Sequence, residues 1–340
     1  MNELPQPKAP RIPGRFGCLP AILWVAPLLL LPPMYCVKEL GLHAIFNYFA
    51  QDAFYYLAVG MHSKLGFYTF DGELPTNGFH PLWQIIVTFL VDSADKTDQA
   101  GVISRVFIVS VLLTVTGFCA AVFAAYRITR SNLLALLMVP GPFYLAFSFA
   151  YPGHGSPWSF MNGMESCLTV FFGGAVLALT AVLCGEPGER RMERYLWPAL
   201  GLLIALMIMS RLDDVFLPAS LGACVLFSTR DSLRVRLKRV LFLCLPSAAV
   251  LTGYLAFNYF AVGVILPVSG LAKGRFSFLV NLKQLYILLN LGPFPADLHF
   301  DLFYRTALYH HIQMICPILA ALFLMALLRA KLKGDTGRGH

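Results

Sequence analysis

Apolar runs that cross, or nearly cross, a ~30 Å hydrocarbon core recur along this chain at residues 18–37, 102–126, 133–151, 163–184, 195–210, 214–228, 239–262 and 312–330. A soluble fold needs a hydrated surface, which is why water-soluble chains keep about a quarter of their residues charged. Here 58% of the 340 residues are hydrophobic and only 13% are charged, with a mean hydropathy of +0.68. The bilayer must therefore serve as solvent. The expected fold is an all-α integral membrane protein, a polytopic bundle of about eight transmembrane helices.

Charge orients the runs. The formal net charge is +8, but the cations sit in short clusters between apolar runs rather than on one amphipathic face, so topology accounts for them better than nucleic acid does. The clusters are Lys8/Arg11/Arg15, Arg127/Arg130, Arg190/Arg191/Arg194, Arg230/Arg234/Arg236/Lys238/Arg239 and Arg329/Lys331/Lys333. Lys and Arg accumulate on cytoplasmic loops, and all five clusters fall there if both termini are cytoplasmic. The opposite faces are then 38–101, 152–162, 211–213 and 263–311. This divides the chain into a tail (1–17), one membrane domain (18–330) whose outer loop 38–101 carries the main motifs, and a basic tail (331–340). Pro81–Val91 and Leu279–Leu291 are short for spans and are expected as helices at the outer interface. The runs 195–210 and 214–228 meet at Arg211-Leu212-Asp213-Asp214; one long helix there would put Arg230–Arg239 outside, so two short helices are expected.

The first apolar run, preceded by Lys8, Arg11 and Arg15, is longer than a signal-peptide core and lacks a small-residue cleavage site, so it is expected to be retained as a span. The eight cysteines form no CxxC pair and mostly lie in or beside apolar runs, where they serve as small packing residues.

The polar residues that membrane physics explains least share the outer side. In Gln51-Asp52-Ala-Phe-Tyr55-Tyr56, helical spacing aligns Tyr48, Asp52, Tyr55, Tyr56 and Val59. A partly desolvated carboxylate on an aromatic face is a candidate general base, or else an interfacial helix cap. The stretch Phe70-Asp71-Gly72-Glu73-Leu74-Pro75-Thr76-Asn77-Gly78-Phe79-His80-Pro81-Leu82-Trp83 reads as an ordered turn-rich loop. His80 either donates a hydrogen bond to a phosphate or carries a proton near neutral pH, or else is a helix-start histidine satisfied by the turn. Glu165 opens the run 163–184, where a helix N-terminus favours a carboxylate. Arg211 and Asp213 or Asp214 either pair with one another or face a ligand. The segment Leu266-Pro267-Val268-Ser269-Gly270-Leu271-Ala272-Lys273-Gly274-Arg275 puts two cations, Lys273 and Arg275, on the side where they are least expected; a lipid phosphate or pyrophosphate, or the bilayer head groups, are their natural partners.

At these residues the chain resembles the GT-C superfamily of polytopic glycosyltransferases, in particular bacterial-type members with a pattern like Asp-Asp-Ala-Phe-Tyr-Tyr followed by Thr-Asn-Gly-Phe-His-Pro-Leu-Trp. Gln51–Tyr56 and Thr76–Trp83 carry the likeness, and Gly163-Met164-Glu165-Ser166, Arg211-Leu212-Asp213 and Leu266–Gly270 follow in the same order, so that it covers roughly residues 20–280. The resemblance implies a GT-C bundle with juxtamembrane helices in the first outer loop. It also implies a polyprenyl-phosphate sugar donor, an acceptor served by an acidic residue of that loop, and a bacterial plasma membrane with the site facing the periplasm. Two features depart from the pattern. Gln51 replaces its first Asp and cannot accept a proton, which passes the carboxylate role to Asp52 or Glu165; and such proteins usually continue through further spans, whereas this sequence ends at His340.

The expected activity is transfer of a sugar from a polyprenyl phosphate to a lipid, glycan or protein acceptor on the non-cytoplasmic face. Asp52 and Glu165 are its candidate catalytic residues; Tyr55, Tyr56, Asn77, His80, Arg211, Asp213, Ser269, Lys273 and Arg275 are its candidate substrate contacts. No cofactor is required. Magnesium or manganese is an option for which Asp52, Asp71, Glu73 and Glu165 offer hard oxygen ligands. The alternatives are a catalytically inactive relative that binds a lipid-linked sugar or a membrane partner, consistent with Gln51, and a transporter or flippase, for which the spans carry few mid-depth ionisable residues.

Overall fold

The computed structural model describes residues 17–40, 45–46, 49–92, 98–139, 160–183, 193–227 and 232–267, apart from the side chains of residues 32, 36, 37, 39, 40, 193, 194 and 213. All belong to one compact unit, Met1–Gly270; a second unit, Leu271–His340, lies outside the described residues. The helices are α1 (Leu19–Leu40), α2 (Gln51–Met61), α3 (Pro81–Asp92), α4 (Gln99–Thr129), α5 (Asn132–Met138), α6 (Ser166–Leu183), α7 (Glu193–Ser210), α8 (Phe216–Leu226) and α9 (Leu233–Val262). Among the described residues there is no strand, only an isolated bridge between Thr69 and Pro75.

Three of these helices, α4, α6 and α9, are long and apolar enough to cross a membrane. The 31 residues of α4 extend about 46 Å at ~1.5 Å per residue, more than the thickness of a ~30 Å core. Asp98 caps its start by accepting from Gly101 N, and Arg130, at φ 57°, ends it. The expected interface helix over 81–91 is α3, 12 residues long and packed on α2. Of the expected spans, 312–330 and most of 133–151 lie outside the described residues, as does the interface helix 279–291.

Burial of apolar area gives helices in lipid no reason to associate, so close backbone approach and dispersion must do so. At the α4–α6 crossing, a Cβ on Gly117 would overlap the Val170 carbonyl, and one on Gly174 would overlap the Gly117 carbonyl. Ser110 meets Cys167 one register unit earlier. The pairs 110/167 and 117/174 advance together, so α4 and α6 run parallel.

The same logic resolves the expected break near Arg211. Backbone at Arg211 is extended, Leu212–Val215 forms a single 3₁₀ turn, and α8 follows. Gly201 of α7 meets Phe242 and Pro246, while Gly222 of α8 meets Val240 and Cys244. One continuous helix would place Gly201 and Gly222 about 30 Å apart; both touch the same two turns of α9, so the chain reverses at 211–215. With 11 residues, α8 is too short to cross the core alone.

Candidate functional site

The site is assembled where α2, α3 and the start of α6 meet. Helix α2 buries Ala53, Tyr56, Leu57, Val59 and Gly60, the i, i+3, i+4, i+7 stripe of a helix lying on a core. This corrects the single face expected from spacing: Asp52 and Tyr55 are exposed, whereas Tyr56 and Val59 are buried, and Tyr48 lies outside the described residues. Adjacent tyrosines point apart because consecutive helical positions differ by about 100°. The Tyr55 ring packs on Phe70, centroids 4.8 Å apart, at the outside.

On the inner face the Tyr56 hydroxyl donates to Glu165 Oε2 at 3.1 Å and accepts the His80 backbone N–H at 3.3 Å. His80 Nε2 lies 3.4 Å from Glu165 Oε1, so both carboxylate oxygens are engaged. Glu165 is 5% exposed, whereas the His80 side chain is 28% exposed and links the buried carboxyl to the outside. Burial, then the negative charge of Glu165, pushes the Tyr56 phenol far above its ordinary pKa; the His80 N–H opposes this, and Asp52 adds a smaller push in the same direction as Glu165. Both candidate carboxylates therefore act on one hydroxyl.

Glu165 is held in place by its own backbone. Gly163 has φ 81°, and a Cβ there would come within 2.6 Å of the Phe49 ring and 2.9 Å of Ala53 Cβ, so both conformation and space select glycine. The Gly163 carbonyl accepts from the fully buried Trp83 indole at 2.9 Å. The Asn162 carbonyl accepts from Ala50 N at 3.0 Å, and the Asn162 side chain accepts from Met164 N. Gln84 Nε2 donates to the Tyr56 carbonyl, tying α3 to α2. Trp83 and Gln84 carry no titratable group, so a search for chemistry in the sequence passes over them; the signal was the adjacency of Trp83 to His80 in one string.

Asn77 is fully buried and donates to the Leu266 carbonyl at 3.4 Å, joining the turn-rich loop to the segment after α9. That loop is ordered by Asp71, whose Oδ1 accepts from the Thr69 hydroxyl and from the Glu73 and Leu74 amides. Those amides, and then the hydroxyl, lower the Asp71 pKa to about 2. Arg211 ends α7, its N–H bonded to Met207 O. Met207 belongs to the same core as Phe49, Trp83 and Leu168, and its side chain faces Gly173 of α6. The Asp213 side chain, Ser269, Lys273 and Arg275 lie outside the described residues.

Measured along α4, Cys167, two residues after Glu165, meets Ser110, about 16 Å from the start of α4. Among the described residues, no group of three or more His, Cys, Asp or Glu side chains is gathered to hold a metal ion. No family model, curated protein or solved structure matches the chain.

Proposed function

We propose that the chain is a membrane glycosyltransferase that moves a sugar from a polyprenyl-phosphate donor to an acceptor on the non-cytoplasmic face. One observation carries this reading. Four strings on which the GT-C resemblance rests, Gln51–Tyr56, Thr76–Trp83, Gly163–Ser166 and Leu266–Gly270, are joined around one buried carboxylate by contacts of Tyr56, Asn77, His80, Trp83, Gly163, Glu165 and Leu266. A structural role alone would not call for burying a carboxyl between a phenol and an imidazole, because desolvating it is costly.

In the proposed reaction the anomeric C–O bond to phosphate breaks and a bond to the acceptor oxygen forms, while the acceptor hydroxyl yields its proton. Asp52, exposed on the first turn of α2, takes that proton. Glu165, bonded through Oε1 to His80 Nε2, fixes the imidazole beside the departing phosphate. Arg211 balances the carboxylates, and the phosphate contacts expected of Lys273 and Arg275 lie outside the described residues. Phosphate is a fair leaving group, so positioning and charge stabilisation supply most of the acceleration.

The test is transfer of radiolabelled sugar from a panel of polyprenyl-phosphate donors by membranes containing the wild type, Asp52→Asn or Glu165→Gln. Transfer by the wild type, reduced about 100- to 10,000-fold by either substitution, supports the assignment. Donor binding without transfer by the wild type would identify the inactive relative that Gln51 suggests. Neither binding nor transfer would overturn the reading.

A further inference from the structure

At the opposite end of the bundle from the site, four of the first seven residues of α9 are cationic: Arg234, Arg236, Lys238 and Arg239, in a helix of 30 residues with no Asp or Glu. The neighbour α8, Phe216–Leu226, carries no charge. Two of the cations are directed inward. Arg236 Nη1 donates to the Leu226 carbonyl at the end of α8, and the Arg239 guanidinium lies 5.2 Å from the centroid of the Trp197 ring of α7.

The other two are directed outward. At about 100° per residue, Arg234, Lys238, Leu241 and Leu245 fall within about 60° of one another, and all four are exposed, Leu241 by 56% and Leu245 by 58%. Along one helix face the order is therefore two cations, then leucines leading toward the bilayer centre. The Lys238 ammonium, 5.7 Å from the Phe242 ring centroid, marks the boundary. A free anion matches only the first half of this stripe and a hydrocarbon only the second; a phospholipid matches both, in the right order and polarity. The Trp197 indole beside Arg239 is the interfacial anchor that membrane boundaries favour.

We propose that the amino-terminal end of α9 is a binding site for one anionic phospholipid, its phosphate between Arg234 and Lys238 and an acyl chain along Leu241 and Leu245. The site is independent of the transferase reading. It would secure α9 against the start of α7 and the end of α8, because Arg236 and Arg239 fasten the same two turns of α9 to Leu226 and Trp197.

Native mass spectrometry tests this on the full chain released from nanodiscs containing phosphatidylglycerol and phosphatidylcholine in equal amounts. Phosphatidylglycerol should be retained selectively. The double variant Arg234→Gln with Lys238→Gln should bind it about thirtyfold more weakly, the loss expected for two basic side chains near an anionic surface. Exchanging the two residues, Arg234→Lys with Lys238→Arg, should preserve binding. Equal retention of both lipids, unchanged retention by the glutamine variant, or equal loss in the exchanged variant would each overturn the proposal.

Discussion

Tyr56 is the residue on which the site turns, since its hydroxyl donates to Glu165 and accepts from the His80 amide. Tyr56→Phe leaves the ring in the core and removes one donor from a buried carboxyl. The expected cost is about 1–3 kcal/mol, read as a lower unfolding midpoint in detergent, with a loss of transfer larger than that from Tyr55→Phe. Asp71 shows how local hydrogen bonding creates a pH dependence. Its folded pKa is lowered to about 2, so its contribution to loop order is complete above the ordinary carboxylate value of about 4 and is lost as pH falls through about 2. Limited proteolysis of the 66–76 loop should accelerate across that window in the wild type, whereas Asp71→Ala should be cleaved rapidly at neutral pH. Neither role was visible in the sequence: Tyr55 and Tyr56 are chemically identical neighbours, and only the direction of the core separates the exposed ring from the buried hydroxyl.

Helix pairing is decided by glycine at the crossings. Gly174→Ala places a methyl group against the Gly117 carbonyl, and overpacking of this kind costs about 1–3 kcal/mol. The expected result is a lower midpoint in thermal unfolding, with Gly173→Ala as the mild control, because a Cβ there would meet nothing nearer than Met207 Cε at 3.9 Å. The elements themselves were largely legible, since apolar length and punctuating charge bring α4, α6, α7 and α9 close to their observed bounds. The break at 211–215 was legible for the same reason: Arg211, Asp213 and Asp214 interrupt apolar sequence. That α8 returns along α9 required the contacts of Gly201 and Gly222.

At the scale of the described molecule, α4 and α6 run parallel and the chain reverses between α7 and α8, and the sidedness expected from Lys and Arg is open to direct test. A reporter active only outside the cytoplasm should work when fused after Asp98 and fail when fused after Ser131; the opposite pattern would invert the assignment of the site to the outer face. What the sequence determined by itself is the solvent and the element type, because hydropathy and charge act residue by residue along the chain and need no partner to be read. It also named Glu165, His80 and Asp52 as candidates, since carboxylates and imidazoles are costly near lipid wherever they sit. Which of them meet was decided only by tertiary structure. Tyr56 and Glu165 are separated by 109 positions, and a contact over that distance depends on helix register, on the left-handed turn at Gly163 and on the Trp83 indole that grips it; none of these acts until the helices are packed.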